Sequence, residues 1–425
     1  MSRAALRTVG TYAPMGRALA AVILAAGAAG AAAAPPLTIV PRGGIDLTAA
    51  SATDQTGTPF VIAGLSGITR LPDGRFAAVM DNSDKVVLLT VALSANGTPT
   101  GATVVGGLRL AAVFDHEDVA WSGAGLDAWI AEENTPAVRR YNLADGAAGG
   151  PLPTPSVFLT RRDNFGFEAL TRDPLGRAIW TANEEALTPD GPVSTAGAGT
   201  TVRLQRYQPD GAGGAAPAQQ FAYRTAPLHG SAVSGSRSGL AALVALPDGR
   251  LLAVERSLAF SLSGLFQTRI YAVGFAGATD VSAVAALSGA SFTPVSRESL
   301  YAGSLNNLEG LCLGPRLGAG RYALVGVVDD GDPVSVNRVV VFEVSGVVEP
   351  PCAADVASAG GAPEPDGFVT GEDFDLFVQS FFDERRAPAG WLVADVADGV
   401  GGDRPDGFIT GADFDRFVDL FFSGC

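Results

Sequence analysis

GFEALTRDPLGRAIWTANEE (166–185) decides how this chain is read. A short apolar run is followed by a polar turn carrying Gly176, a second apolar run, and two acids. Four more copies have the same plan: GLSGITRLPDGRFAAVMDN from Gly64, DHEDVAWSGAGLDAWIAEEN from Asp115, GLAALVALPDGRLLAVER from Gly239 and NLEGLCLGPRLGAGRYALVGVVDD from Asn307. Asp-Gly between apolar runs, as at Asp73-Gly74 and Asp248-Gly249, is a strong hairpin signal. A hairpin that recurs along a chain marks a radial or solenoid all-β architecture.

The charges follow the repeat. A hairpin brings the start of its first strand beside the end of its second. Here the first strands open near Ser66, Glu117, Glu168 and Glu309. The second strands close on Asp81, Glu132-Glu133, Glu184-Glu185, Glu255-Arg256 and Asp329-Asp330. Arranged around one axis, these ends form a carboxylate basin, with Asp115 a further member. Adjacent carboxylates raise one another's pKa, so such a basin calls for a cation, an arginine or a shared proton. The alternative is that they are separate, solvated strand-end acids.

Arg3, Arg7 and Arg17 precede an Ala-rich apolar stretch that ends at Pro35-Pro36. This reads as a secretory leader over residues 1–34, and no later segment is long enough to span a bilayer. The expectation is an exported protein with a β domain over 35–346 and a small module over 347–425. Residues 347–425 hold 16 Asp/Glu against 4 Arg, a net of −12 of the chain's −15, which leaves about −3 for the rest. That balance argues against nucleic acid as a partner. Of three cysteines, Cys352 and Cys425 bracket the acidic module and are expected to pair, while Cys312, in LEGLCLG, is expected to be a buried free thiol.

The module is itself a repeat. PDGFVTGEDFDLFVQSFF from Pro365 returns 40 residues later as PDGFITGADFDRFVDLFF from Pro405. Phe374, Phe377, Val378, Phe381 and Phe382, with their counterparts 40 on, give each copy an apolar helix face. The Asp-Gly pair ahead of a helix resembles an EF-hand-type loop, and the whole resembles a type I dockerin module. That resemblance implies Ca²⁺ held by Asp355, Asp366 and Asp373 in one copy and by Asp395, Asp406 and Asp413 in the other, and a cohesin-like or cell-surface partner. The loop starts depart from the pattern: Asp355 and Asp395 lie eleven residues before the Asp-Gly aspartates, so an insertion is needed.

The larger domain carries, in order, Gly64–Gly67 as GLSG, Asn164-Phe165-Gly166-Phe167-Glu168, Glu185-Ala186-Leu187, Glu255-Arg256, Asn307-Leu308-Glu309-Gly310 and Asp329-Asp330. In this it resembles the phytase-like family, described as having esterase-like activity of phytase. The resemblance implies a β-propeller. The 51-residue pitch from Ser66 to Glu117 to Glu168 divides some 310 residues into about six blades. Gly331-Asp332-Pro333 departs from the family's last element.

Other chemistries are poorly provided for. There is no Gly-x-Ser-x-Gly and no P-loop, and two histidines exclude a His-rich zinc site. His116 sits among acids in DHED, which is expected to raise its pKa. What remains is a hydrolase of phosphate or carboxylate esters that works through carboxylates and Ca²⁺ at the axis. The candidates are Asp115, Glu117, Glu168, Glu184, Glu255, Glu309 and Asp329, with Arg256 as anion clamp and Arg203 and Arg206 as weaker clamps. The competing readings are a non-catalytic propeller that binds a ligand or protein, and a sugar-lactone or glycan-directed enzyme.

Overall fold

The computed structural model describes residues 34–47, 49, 51–210, 213–332, 334–348, 352–357, 361–363, 369–383, 393–397 and 408–423. The chain divides into Met1–Ala34 and Pro35–Cys425. The expected leader lies outside the described residues apart from Ala34.

Five antiparallel four-stranded sheets and one two-stranded sheet, Ser51–Thr53 with Pro59–Val61, make up the larger unit's described β portion. Blade 1 is Leu65–Arg70, Phe76–Met80, Lys85–Leu93 and Pro99–Arg109. Blade 2 is His116–Trp121, Asp127–Glu132, Ala137–Asn142 and Ala148–Pro151. Blade 3 is Phe167–Arg172, Ile179–Asn183, Thr201–Pro209 and Ala215–Arg224. Blade 4 is Arg237–Ala245, Leu251–Leu258, Phe266–Gly274 and Ser296–Gly303. Blade 5 takes Leu308–Gly318, Arg321–Val328 and Arg338–Ser345 from the end of the β domain, and its outer strand, Thr38–Asp46, from the start. This last pairing ties the two ends of the domain together and closes the ring.

The first strand of each blade packs against the first strand of the next, and that of blade 5 against that of blade 1. The cores lie between blades. Leu71, Val79, Ile130 and Tyr141 join blades 1 and 2; Trp129, Phe167 and Tyr207 join 2 and 3; Leu204, Tyr223 and Leu243 join 3 and 4. Val254, Leu324 and Phe342 join 4 and 5, and Ile68, Phe76 and Val341 join 5 and 1. Inner strands are therefore buried on both faces, as in Phe76–Met80.

The fold is a propeller with five blades among the described residues, not the six expected from a 51-residue pitch. The wide intervals hold longer connections within blades 3 and 4 rather than another blade. One is the segment carrying a 3-10 turn at Thr188–Asp190. The other is the 275–295 connection. The two are fastened by a fully buried pair, Arg203 to Asp190 at 2.7 Å; Asp190 also accepts from the Leu287 amide at 2.9 Å.

Near the chain's end, helices Gly371–Asp383 and Gly411–Ser423 pack with Phe377 and Phe417 stacked at 3.8 Å between ring centres. Cys352 is disulfide-bonded and Cys312 is free; Cys425 lies outside the described residues. Among the described residues, no helix is long and apolar enough to cross a membrane.

Candidate active site

Each blade's first strand slips register against its second at one equivalent place: between Leu65 and Ile68, His116 and Val119, Phe167 and Ala169, Leu240 and Ala242, and Leu308 and Gly310. A bulge turns a side chain out of the regular alternation. The residues at these bulges are Ser66, Glu117, Glu168, Ala241 and Glu309, so four of the five blades aim a polar group there. The second strands answer with Asp81, Glu133, Glu184, Arg256 and Asp329. Their backbones are fixed by equivalent bonds: Asp81 N–H to Gly64 O, Glu133 to Asp115 O, Glu184 to Gly166 O and Asp329 to Asn307 O. Blade 4 offers no acid at the bulge, having Ala241, and supplies the arginine.

The strands meet closely at the hub. A Cβ on Gly310 would lie 2.4 Å from the Ser66 carbonyl oxygen, and one on Gly67 would lie 2.3 Å from the Asp118 Cα. Only glycine lets the inner strands approach this far.

Arg256 spans the basin. It donates to Glu184 at 2.9 Å, pairs with Glu309, lies 3.8 Å from Glu168, and donates to the Asn307 side-chain oxygen at 3.0 Å. Asn307 in turn donates to Asp329 at 2.9 Å. Ser66 donates to Glu117 at 2.9 Å, and Asn134 donates to Asp115. Two groups of three carboxylates form: Asp81, Asp115 and Glu117, and Glu133, Glu168 and Glu184. In each group one oxygen per residue lies within 4.8 Å of the others.

Eight carboxylates thus share the basin with one guanidinium, which lies against three of them, and the basin holds protons accordingly. Burial, then Asp115, raises Asp81 to about 7. Burial, then Glu184, raises Glu133 to about 8. Burial and Glu168 push Glu117 well above the usual carboxylate range; burial and Glu184 do the same to Glu168. Burial also raises Asp329. Buried oxygens of Asp115, Glu133 and Glu309 have no hydrogen-bond partner. An all-oxygen set with unspent lone pairs fits a hard divalent cation such as Ca²⁺.

The structure thus brings Asp115, Glu117, Glu168, Glu184, Arg256, Glu309 and Asp329 together. It does not bring Glu255, which is fully buried elsewhere and accepts from Tyr223 at 2.7 Å, Arg297 at 2.6 Å and the Ala226 amide at 2.8 Å. Arg203 is spent on Asp190, and Arg206 on the Arg177 carbonyl and Gln208. His116 corrects the sequence expectation. Burial outweighs its acidic neighbours and lowers its pKa, and the ring is held by Ser83 O at 2.8 Å.

Asp81, Glu133 and Asn307 are basin residues beyond the candidate acids read from the sequence. The first two are among the acids on which the sequence closes its second strands, and aligning the copies on those strand ends would have added them to the candidates. In the C-terminal repeat, Asp373 and Asp413 each spend both oxygens on backbone amides: Val356, Ala357 and Thr370 for one, Val396, Ala397 and Thr410 for the other. Asp355 and Asp395 are buried. Asp366 and Asp406 lie outside the described residues.

Fold and site together define a closed five-bladed propeller with an acidic basin at one end of its axis. The chain belongs to the phytase-like family, "esterase-like activity of phytase", which matches residues 61–332. No curated protein matches the chain. Solved structures with a similar fold include the PQQ-bound aldose sugar dehydrogenase of Streptomyces coelicolor (13% identity, 73% of this chain and 100% of that one, TM-score 0.34). Others are the periplasmic gluconolactonase of Pseudomonas aeruginosa (14%, 74% and 98%, 0.32) and the calcium-binding protein regucalcin of Agrobacterium tumefaciens (15%, 71% and 96%, 0.34). Likeness at this level carries no functional argument.

Proposed function

We propose that the chain is an exported hydrolase of phosphate or carboxylate esters, working at the axial basin with a divalent cation, Ca²⁺ being the best match. The observation that carries this is the convergence of carboxylates from four blades in one basin, those of blades 3 and 5 on Arg256, with buried oxygens of Asp115, Glu133 and Glu309 left unpartnered. Asp81, Asp115 and Glu117, and Glu133, Glu168 and Glu184, would hold the cation. When bound, it supplies Lewis acidity toward the phosphoryl or carbonyl oxygen and offsets the basin's charge.

The protein's own part is binding, orientation and proton traffic. Arg256 clamps the anionic or polarised oxygen of the ester. A water attacks phosphorus or the carbonyl carbon and gives its proton to a basin carboxylate, with Glu168 and Glu117 placed for this. The bond from that centre to the alcohol oxygen breaks, and the alcohol leaves with the proton that the basin carboxylate took from the water. Ester and water become acid and alcohol, with no net proton drawn from the protein.

The test uses the full chain with Ca²⁺ on p-nitrophenyl phosphate and p-nitrophenyl butyrate. Glu168→Gln and Glu309→Gln are expected to lose turnover by 10²-fold or more, within the range of lost acid–base catalysis. If both variants keep full activity, the site is misassigned. If the wild type turns over neither ester, the hydrolase reading fails.

Calcium in the C-terminal loops, and attachment of the chain to a cohesin-like or cell-surface partner through the helix pair, belong to the same proposal. They are supported by the repeated Asp-Gly loops and paired helices. Calcium titration of an Asp366→Ala/Asp406→Ala variant tests them: loss of the sites supports the reading, and unchanged binding contradicts it.

A further inference from the structure

Blade 4 differs from the others in what rises beside the basin. Its second strand carries Arg256, then continues past Leu258 into the hairpin LAFSLSGLF (258–266), which has no charged residue. The neighbouring connection GSAVSGS (230–236) has none either. Leu262 is fully exposed, and Phe260 and Val233 are more than two-fifths exposed. Eight of the twelve exposed large apolar side chains described between 35 and 348 lie on connections at this same end of the propeller. The basin therefore has an apolar rim, and the blade that supplies the cation carries three of its eight members, Val233, Phe260 and Leu262.

This wall is fastened. Phe260 and Ser231 exchange backbone hydrogen bonds at 3.0 and 2.9 Å, and Ala259 N–H donates to Leu265 O at 3.0 Å. His229 braces it from below, its Nδ1 3.0 Å from the Ser257 hydroxyl and its Nε2 3.2 Å from Gly264 O. Exposed apolar residues on a tied-down hairpin keep their place without a partner, which suits a preformed contact surface. Phe260 follows Arg256 by four residues, about 13 Å along an extended strand.

Charge limits the occupant. A polyphosphorylated substrate needs several cations. The basin pairs one guanidinium with its acids; Arg237 and Arg161 beside it are held by Glu185 and the Asn134 carbonyl, and the connections 230–236 and 258–266 carry no charge. Resting on the hydrolase reading, we propose that the substrate is a monoester with an apolar alkyl or aryl chain. Its ester group sits at Arg256 and its chain lies along Phe260, Leu262 and Val233.

Ethyl, butyl and octyl phosphate, or the matching p-nitrophenyl carboxylates if only those react, test this on the full chain with Ca²⁺. Burying a methylene strengthens binding by up to about fourfold. KM is therefore expected to fall about tenfold or more from ethyl to octyl, with kcat little changed, and Phe260→Ser/Leu262→Ser should flatten that gradient while sparing the ethyl ester. Turnover without a chain-length gradient overturns this inference and leaves the hydrolase reading intact. If no ester turns over, calorimetry of octyl against ethyl phosphate decides it: tighter octyl binding lost in the double variant supports the wall, and equal or absent binding overturns it. Sedimentation of the wild type with phosphatidylcholine vesicles, without a gradient for soluble esters, makes the wall a membrane contact and also overturns the proposal.

Discussion

Glu255 and Arg256 are adjacent in one strand and serve opposite sides of it. Glu255 is buried between blades against Tyr223 and Arg297, at 2.7 and 2.6 Å, while Arg256 enters the basin and reaches Glu184 at 2.9 Å. One residue of phase separates a structural carboxylate from the clamp of the candidate site.

That split predicts opposite phenotypes. Glu255→Gln leaves Arg297 without its buried counter-charge and should cost about 3 kcal/mol of stability, while kcat/KM stays within a few-fold of wild type. Arg256→Gln should remove turnover and product inhibition by inorganic phosphate, because the anion clamp is gone. Denaturant melts and steady-state kinetics of the two variants, side by side, check the pair.

Hub contact predicts a steric effect. Gly310→Ala forces a methyl group to within 2.4 Å of the Ser66 carbonyl oxygen, which is backbone and cannot swing aside. The variant should lose about 2 kcal/mol or more, in the range of overpacked cores. Ala241, at the equivalent bulge of blade 4, should accept Ser with little loss. Thermal melts of both variants measure this.

pH dependence follows from the raised carboxylates. Asp81 and Glu133 bind protons more tightly folded than at their ordinary values of 3.8 and 4.5. Their stabilising contribution is therefore full below about pH 4 and is lost as pH rises through about 7 and 8. In chelator, the Tm should fall between pH 5 and pH 8.5. Calcium favours the ionised carboxylates, so its increment in Tm should grow over the same interval. Scanning calorimetry with and without Ca²⁺ reads both trends.

The hairpin unit was legible in the sequence because Gly74, Gly176 and Gly249 take positive φ between two apolar runs. The convergence of Glu117, Glu168 and Glu309 followed from equivalent repeat positions. Blade number was not legible: the connection carrying Thr188–Asp190 and the 275–295 connection widen two repeats from 51 to 73 and 68 residues, and together they take up nearly the length of one blade. Nor was the phase of the strand ends. Trp129, Ile130 and Ala131 are all buried, because each blade is sandwiched between two others. With no polar and apolar alternation, nothing in the sequence says whether Glu132 or Glu133 faces the axis. Glu132 pairs with Arg139 at 2.7 Å, and Glu133 joins the basin. For His116, neighbouring charges were visible and burial was not.

Calcium add-back tests the central claim most directly: ester turnover by the chelated full chain, measured before and after Ca²⁺ is restored. A carboxylate basin that needs a cation predicts negligible product in chelator and recovery on adding Ca²⁺, with no recovery in Glu168→Gln. Equal rates with and without the ion, or recovery that survives Glu168→Gln, would contradict it.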